Sequence, residues 1–284
     1  MTLQNIGVIG AGTMGNGIAQ TCALCGFDVV MQDIAQAPLD NGMKTIQKSL
    51  DRLVGKEKIS TADYEAALAR LKTTTDINAM EDRDLVIEAA SENIEIKLGV
   101  FTQLNKICPD STILATNTSS LSLTRIAAAS GRADRVVGMH FFNPVPLMAL
   151  VEVIRALQTS DKTYNAIETL ANSLGKTPVS VKDSPGFVVN RMLVPMINEA
   201  VFILYEGLAQ AEDIDAAMKL GAAHPMGPLA LADMIGLDVC LWVMNVLHEE
   251  FGDSKFRPCP LLKQMVDAGY LGRKTGRGFY QYGG

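Results

Sequence analysis

Short apolar runs alternate with longer stretches of helical period along the first part of the chain. Residues 3–9 read as a strand closed by Gly10, 13–24 as a helix and 27–32 as a second strand. Helical period follows over 38–54 and 61–70. Strands at 84–88, 112–116, 136–139 and 150–154 then alternate with helices at 94–107, 121–129 and 161–174, and 177–181 is extended. Strands that are apolar along nearly their whole length are covered on both faces, so this alternation predicts a mostly parallel sheet between helices. From residue 187 onward only helical period remains, over 187–205, 211–220, 229–234, 237–251 and 261–268. Asp183-Ser184-Pro185-Gly186 is the natural punctuation between the two regimes. The expected division is an α/β domain over 1–183, with a helical insertion at about 38–70, and a smaller all-helical domain over 184–284. Such an apolar bundle has surface to spend on a second copy, which makes a homodimer through the C-terminal domain an expectation.

Composition narrows the class. At roughly 150 residues per domain, a chain of 284 residues suits one large domain or two ordinary ones. Hydrophobic residues at 48% and charged residues at 20% supply a real core and exclude wholesale disorder. Lys and Arg number 25 against 31 Asp and Glu, a net charge of -6, which argues against a nucleic-acid partner. No run of about 18 uncharged apolar residues is present, so no membrane-spanning helix is expected. The opening Met1-Thr2-Leu3-Gln4-Asn5-Ile6 has no basic leader and runs into a strand, so the expected location is cytoplasmic. The five cysteines are scattered and odd in number, which disfavours a disulfide framework. Cys22 and Cys25 have CxxC spacing, but they fall at the far end of a predicted helix rather than at its N-terminus, where a thiolate would be stabilised. No second pair completes a zinc site nearby. Both are expected to be small buried apolar residues, and no metal is expected.

The chemistry begins at Gly10-Ala11-Gly12-Thr13-Met14-Gly15, a GxGxxG pattern between a predicted strand and a predicted helix. Its glycines permit a tight turn, a close approach to a pyrophosphate and close helix–strand packing, while the helix N-terminus offers N–H groups to the anion. Asp33 closes the second strand, where a carboxylate accepts from an adenosine ribose and repels a 2′-phosphate. No Arg follows in Ile34-Ala35-Gln36, which favours NAD over NADP, though the fingerprint alone leaves nicotinamide and flavin both open. Lys44, Lys48, Arg52 and Lys56 recur every four residues on a predicted helix. At 3.6 residues per turn each step drifts only about 40°, so they share one broad face. Such a basic face on an acidic protein suits either plain solvation or a multiply charged ligand.

His140 follows an apolar strand, and Glu152 interrupts the apolar run Leu150-Val151-Glu152-Val153-Ile154. A buried carboxylate needs a partner or a proton, and an imidazole is an economical partner. A base oriented by an acid is a proton-transfer arrangement that contributes roughly 10² to 10⁴ in rate. Asn117-Thr118-Ser119-Ser120 follows another strand end, where residues of an open parallel sheet line a ligand crevice. Ser120 is the expected cap of the next helix, which leaves the Ser119 hydroxyl for a ligand oxygen. Asn190, among Gly186-Phe187-Val188-Val189-Asn190-Arg191, is expected to be a buried amide in need of partners.

Gly10-Ala-Gly-Thr-Met-Gly15, Ser-Glu92-Asn, Asn117-Thr-Ser-Ser120, His140-Phe-Phe-Asn-Pro144 and Asp183-Ser-Pro-Gly-Phe187 occur in the order found in 3-hydroxyacyl-CoA dehydrogenases. The chain resembles the short monofunctional bacterial type over essentially its whole length, to the closing Gly272-Arg-Lys-Thr-Gly-Arg-Gly-Phe279. The resemblance implies a Rossmann-type doubly wound sheet followed by a smaller all-helical domain. It also implies interconversion of (S)-3-hydroxybutanoyl-CoA, or a similar short-chain acyl-CoA, and its 3-oxo form with NAD. His140 would then be the catalytic base, Glu152 its orienting carboxylate, and Ser119 and Asn190 the donors to the substrate oxygens. The match assigns Gly10, Gly12, Thr13, Met14, Gly15, Asp33, Glu92, Lys97, Asn117, Ser119, Asn143 and Lys274 to the cofactor. It assigns Ser49, Arg52 and Lys56 to the 3′-phospho-ADP of CoA. Closure of the two domains would bring Asn190 to the substrate. Two other readings stay open. Dehydrogenases of free 3-hydroxy acids share a glycine fingerprint and a helical second domain but typically use a lysine. A non-catalytic, crystallin-like or sensing NAD-binding protein would use the same scaffold.

Overall fold

Eight runs rich in Val, Ile and Leu supply the strands of one sheet: β1 (Asn5–Ile9), β2 (Asp28–Gln32), β3 (Leu71–Thr74), β4 (Leu85–Glu88), β5 (Ile113–Thr116), β6 (Val136–Phe141), β7 (Leu150–Arg155) and β8 (Thr177–Lys182). They are seen in a computed structural model that describes residues 3–283; Met1, Thr2 and Gly284, the ends of the two expected domains, lie outside the described residues. The strand order is β3-β2-β1-β4-β5-β6-β7-β8. The chain therefore winds outward in both directions from the β1–β4 pair, and the carboxyl ends of such a pair open a crevice. Both β4 and β5 are buried throughout, as central strands covered on two faces must be. β3 is absent from the strands expected above. Leu71-Lys72-Thr73-Thr74 is half polar because it lies at the sheet edge, where Lys72 and Thr73 face water.

All strand pairs are parallel except β6 and β7, which run antiparallel. The chain returns through residues 142–149, and the register sets His140 opposite Glu152. Helices α1 (Thr13–Leu24), α2 (Gln36–Gly55), α3 (Thr61–Ala69), α4 (Ile94–Ile107), α5 (Leu123–Ala129) and α6 (Asp161–Ser173) complete this unit, Met1–Asp183. α2 is amphipathic: Leu39, Gly42, Ile46 and Leu50 are buried at helical spacing, while Lys44, Lys48 and Arg52 are exposed. A capping box of Ser60 and Asp63 starts α3.

Two local expectations need correction. α5 begins at Leu123 and is capped by Ser122, whose hydroxyl accepts from Arg125 N, so Ser120 is not the cap. The Asp183 carboxylate also accepts from Leu123 N at 3.2 Å and Thr124 N at 2.7 Å, and a partner sixty positions along the chain leaves no local signal. The Ser120 hydroxyl is buried instead. Cys22 is buried, but Cys25 is exposed, because α1 stops at Leu24 and Cys25 sits on the turn toward β2.

The second unit, Ser184–Gly284, holds α7 (Val189–Tyr205), α8 (Ala211–Gly221), α9 (Pro228–Ile235), α10 (Leu237–Phe251) and α11 (Pro260–Asp267). Val194, Ile197, Leu229, Leu237, Met244 and Leu247 belong to its core. α7 starts two residues later than its apolar period suggests, since Gly186 and Phe187 both take left-handed backbone (φ 72° and 49°). Two buried carboxylates clasp the C-terminal tail. Asp233, 1% exposed, accepts from Phe279 N, Tyr280 N and the Tyr282 hydroxyl, each at 2.9 Å. Asp215 accepts from Leu229 N, Ala230 N and the Tyr280 hydroxyl. Asp233→Ala leaves three donors unanswered and is expected to cost about 2–4 kcal/mol of stability. Urea unfolding followed by the fluorescence of Trp242, the single tryptophan, measures this; an unchanged midpoint would show that the tail is held by other contacts.

Candidate active site

A groove of about 840 Å³ opens at the carboxyl ends of β1, β2 and β4, lined in part by Gly10, Gly12, Thr13, Met14, Asp33 and Ile34. Its geometry depends on missing side chains. Gly10 turns with φ +96°, and a Cβ there would lie 2.6 Å from the Ala89 carbonyl oxygen. A Cβ on Gly15 would lie 1.8 Å from the Gly10 carbonyl oxygen, so only glycine lets α1 start this close to β1. No side chain caps α1 at Gly12, so the amides of its first turn point toward the groove. The Asp33 carboxylate accepts from Ala11 N and Ile34 N at 2.8 Å each and keeps lone pairs for ribose hydroxyls.

The ends of β4 and β5 carry a hydrogen-bonded network. Glu92 accepts through Oε1 from the Thr118 hydroxyl (2.6 Å), Ser119 N (2.7 Å) and the Ser119 hydroxyl (3.2 Å). Ser119 is thus held by a carboxylate rather than left loose by a neighbouring cap. Lys97, expected at the cofactor, is 1% exposed, and its ammonium donates to both oxygens of Glu88 at 2.8 Å while standing 3.3 Å from Glu92 Oε2. Lys97 is therefore not part of the groove lining, and Glu92 is its partner on the side toward Ser119. Glu88 was not anticipated as a functional residue. The signal was present, since it closes the apolar run Leu85-Val86-Ile87 as Glu152 interrupts its own. Asn117 joins adjacent strands: its amide N donates to the Glu88 carbonyl at 2.8 Å, and its Oδ1 accepts from Phe141 N at 2.9 Å.

Next to that amide stands His140. His140 Nδ1–H donates to Glu152 Oε2 at 2.7 Å, and both side chains are buried. A proton on Nδ1 places the lone pair on Nε2, the tautomer a general base requires. The pair is the product of the antiparallel register: side chains directly opposed on neighbouring strands share one face and meet.

A second cleft of about 260 Å³ lies between α1, α2 and the 143–146 segment, lined by Asn16, Gln20, Lys48, Ser49, Arg52 and Asn143 among others. Ser49 Oγ accepts from Gln20 Nε2 at 3.0 Å. Thr13 borders both this cleft and the glycine-lined groove, so the two meet at the start of α1. Asn143, expected at the cofactor, lines this basic cleft and not the groove. Lys56 stands at the C-terminal end of α2, exposed and outside the cleft lining. In the helical unit, Asn190 is half-buried on the first turn of α7, more open than its apolar neighbours suggest, because the helix begins only at Val189. Lys274 pairs there with Asp238 at 2.6 and 2.7 Å.

The model of the 3-hydroxyacyl-CoA dehydrogenase NAD binding domain matches residues 5–184, and that of the 3-hydroxyacyl-CoA dehydrogenase C-terminal domain matches residues 186–282. The chain is 56% identical to a probable 3-hydroxybutyryl-CoA dehydrogenase of Deinococcus radiodurans, over 98% of this chain and 100% of that one. It is 54% identical to a 3-hydroxybutyryl-CoA dehydrogenase of Clostridioides difficile, over 98% and 99%. Its structure is similar to that of (S)-3-hydroxybutyryl-CoA dehydrogenase PaaH1 from Ralstonia eutropha, with a TM-score of 0.97, 57% identity and full coverage of both chains. Replacing Gly15 by Ala drives a methyl group into the Gly10 carbonyl and is expected to weaken dinucleotide binding at least about 100-fold, since the whole turn must shift. A fluorescence titration with NADH measures it; an unchanged dissociation constant would remove the groove as the dinucleotide site.

Proposed function

The chain belongs to the 3-hydroxyacyl-CoA dehydrogenase family, and from that premise we propose that it interconverts (S)-3-hydroxybutanoyl-CoA and acetoacetyl-CoA with NAD(H). The observation that carries the proposal furthest is the buried His140–Glu152 contact of 2.7 Å at the end of β6. NAD suits the groove: the glycine turn leaves room for a pyrophosphate, and Asp33 offers a carboxylate to the adenosine ribose with no arginine beside it for a 2′-phosphate. When bound, NAD supplies the hydride acceptor and NADH the donor.

The residues of the chain supply the rest. His140 Nε2 takes the proton of the C3 hydroxyl as the alcohol is oxidised and returns it during reduction. Glu152 fixes the ring orientation and tautomer and stabilises the imidazolium that forms. Ser119, whose backbone N–H donates to Glu92, turns its one hydroxyl proton from Glu92 to the substrate oxygen, and Asn190 of the helical unit is assigned as a second donor. Asn117 braces the strand that carries His140. The basic cleft, with Lys48, Ser49 and Arg52, receives the phosphates of CoA, and Lys56 adds charge from the helix end. The working form is a homodimer joined through the helical unit, whose exposed Met192, Leu208 and Leu220 are apolar surface suited to a second copy.

The test is oxidation of NADH and NADPH with acetoacetyl-CoA, with free acetoacetate as control. Turnover is expected with the thioester and NADH; equal turnover of free acetoacetate would remove the basic cleft from the account and favour a free-acid enzyme. His140→Ala is expected to lower kcat about 10² to 10⁴-fold with NADH binding nearly intact, and preserved turnover would exclude His140 as the base. Arg52→Ala is expected to raise KM for acetoacetyl-CoA several-fold at low salt and less at high salt, with kcat little changed.

A further inference from the structure

We propose that Glu88 is a positioning residue for the reacting end of the site, acting through Lys97 and Glu92 on Ser119. The proposal rests on the assignment of Ser119 to substrate and cofactor given above. Glu88 is fully buried and does not line the groove, yet it meets the 116–119 segment by three routes. Its carbonyl accepts from Asn117 N at 2.8 Å. Its Oε2 accepts from the Thr116 hydroxyl at 2.6 Å, and that hydroxyl in turn accepts from Thr118 N at 3.2 Å. Its charge holds Lys97, whose ammonium faces Glu92 on the other side. Oε1 also accepts from Ala90 N at 2.8 Å, which fixes the start of the segment that lines the groove.

The charges explain why a glutamate is needed there. Lys97 sits between two carboxylates, closer to the fully buried Glu88 (2.8 Å) than to Glu92 (3.3 Å), whose side chain is 27% exposed. An ammonium in a dry interior must be neutralised, and its attraction to a carboxylate grows as water is removed. While Glu88 answers Lys97, Glu92 Oε1 is left to gather Thr118, Ser119 N and the Ser119 hydroxyl. If Glu88 is made neutral, Glu92 is the one carboxylate left beside Lys97 among the described residues. Glu92 is then drawn inward, and Ser119 loses the acceptor that sets its backbone and so the position from which its hydroxyl reaches the substrate. Glu88 itself is saturated with donors from Ala90, Lys97 and Thr116, so its part is to place other groups rather than to exchange protons.

The experiment compares Glu88→Gln, Glu92→Gln and the double variant. Gln keeps Oε1 as an acceptor for Ala90 N, removes the charge, and puts an NH2 donor where Oε2 accepts from Lys97 and the Thr116 hydroxyl. Glu88→Gln is expected to lower kcat for acetoacetyl-CoA about tenfold with KM changed less than about twofold, because the CoA cleft is built from other residues. In the Glu92→Gln background the further loss is expected to fall below about twofold, since residues acting through one another are not additive. A folded Glu88→Gln variant with wild-type kcat, or a loss that multiplies fully with that of Glu92→Gln, overturns the proposal. If Glu88→Gln does not fold, Thr116→Val carries the test: it cuts one route and spares every charge. A several-fold lower kcat supports the proposal and an unchanged one overturns it. Should the wild-type chain bind NADH but not turn over acetoacetyl-CoA, the proposed function fails by itself, and binding still decides here. Weaker NADH binding with unchanged ADP-ribose binding places the effect at the nicotinamide end, whereas equal changes in both mark Glu88 as structural only.

Discussion

A carboxylate taken out of water must be met by donors, and four such carboxylates organise this protein. Each would cost several kcal/mol if left unanswered, far more than the contacts around it supply singly. In the α/β unit, Glu152 meets the imidazole of His140, and Glu88 meets an ammonium, a hydroxyl and an amide. In the helical unit, Asp215 and Asp233 gather the start of α9 and the C-terminal tail. The same demand does different work in each place. Where the answering groups are backbone amides and phenols it closes a fold; where they are an imidazole or a chain of polar groups leading to Ser119 it orders the groups to which the proposed function gives the chemistry.

The two ligand sites of the α/β unit are built on one helix. The first turn of α1 faces the glycine-lined groove, and its next turns, through Asn16 and Gln20, face the basic cleft. Gly17 permits this, since a Cβ there would stand 2.9 Å from Cβ of Val145 in the segment that follows β6. That segment leads out of the strand carrying His140. On the proposed function, dinucleotide, acyl-CoA phosphates and the His140 imidazole are referred to elements that pack directly on one another, which would let ligands gripped far from a reacting carbon place it closely.

How much of this was legible in the sequence follows how local each signal is. The glycine turn and Asp33 could be read because a strand, a turn and a helix declare themselves within a short stretch. The meeting of His140 with Glu152 could be read because a charge inside an apolar strand demands a partner. The antiparallel return that produces the meeting has its signal in length alone, since the connection over 142–149 is too short for a parallel crossover. Ser120 reads as a helix cap because Ser122, the actual cap, is the same residue type two positions on, and the Asp183 carboxylate that also fixes the start of α5 lies at the far end of the unit. Lys97 was placed at the cofactor by resemblance, while the carboxylate that holds it, Glu88, read only as the last residue of a strand. Cys25 read as buried from its helical neighbours, but the helix ends one residue earlier.

Net charge is a poor guide to the ligand here, and the reason is distance. A chain carrying -6 would repel a multiply anionic acyl-CoA if its charge acted as a whole. At physiological ionic strength, however, exposed charges farther apart than about 8 Å are largely screened, so a ligand responds to what lies within that radius. The exposed face of α2 puts Lys48 and Arg52 at the cleft, with Ser49 between them, in the helical crossover that carries the chain from β2 to the parallel β3. Freed from covering the sheet on that face, α2 can concentrate positive charge while its buried face keeps Leu39, Ile46 and Leu50 in the core. On the proposed function, the phosphates of CoA meet this local basic face rather than the acidic total.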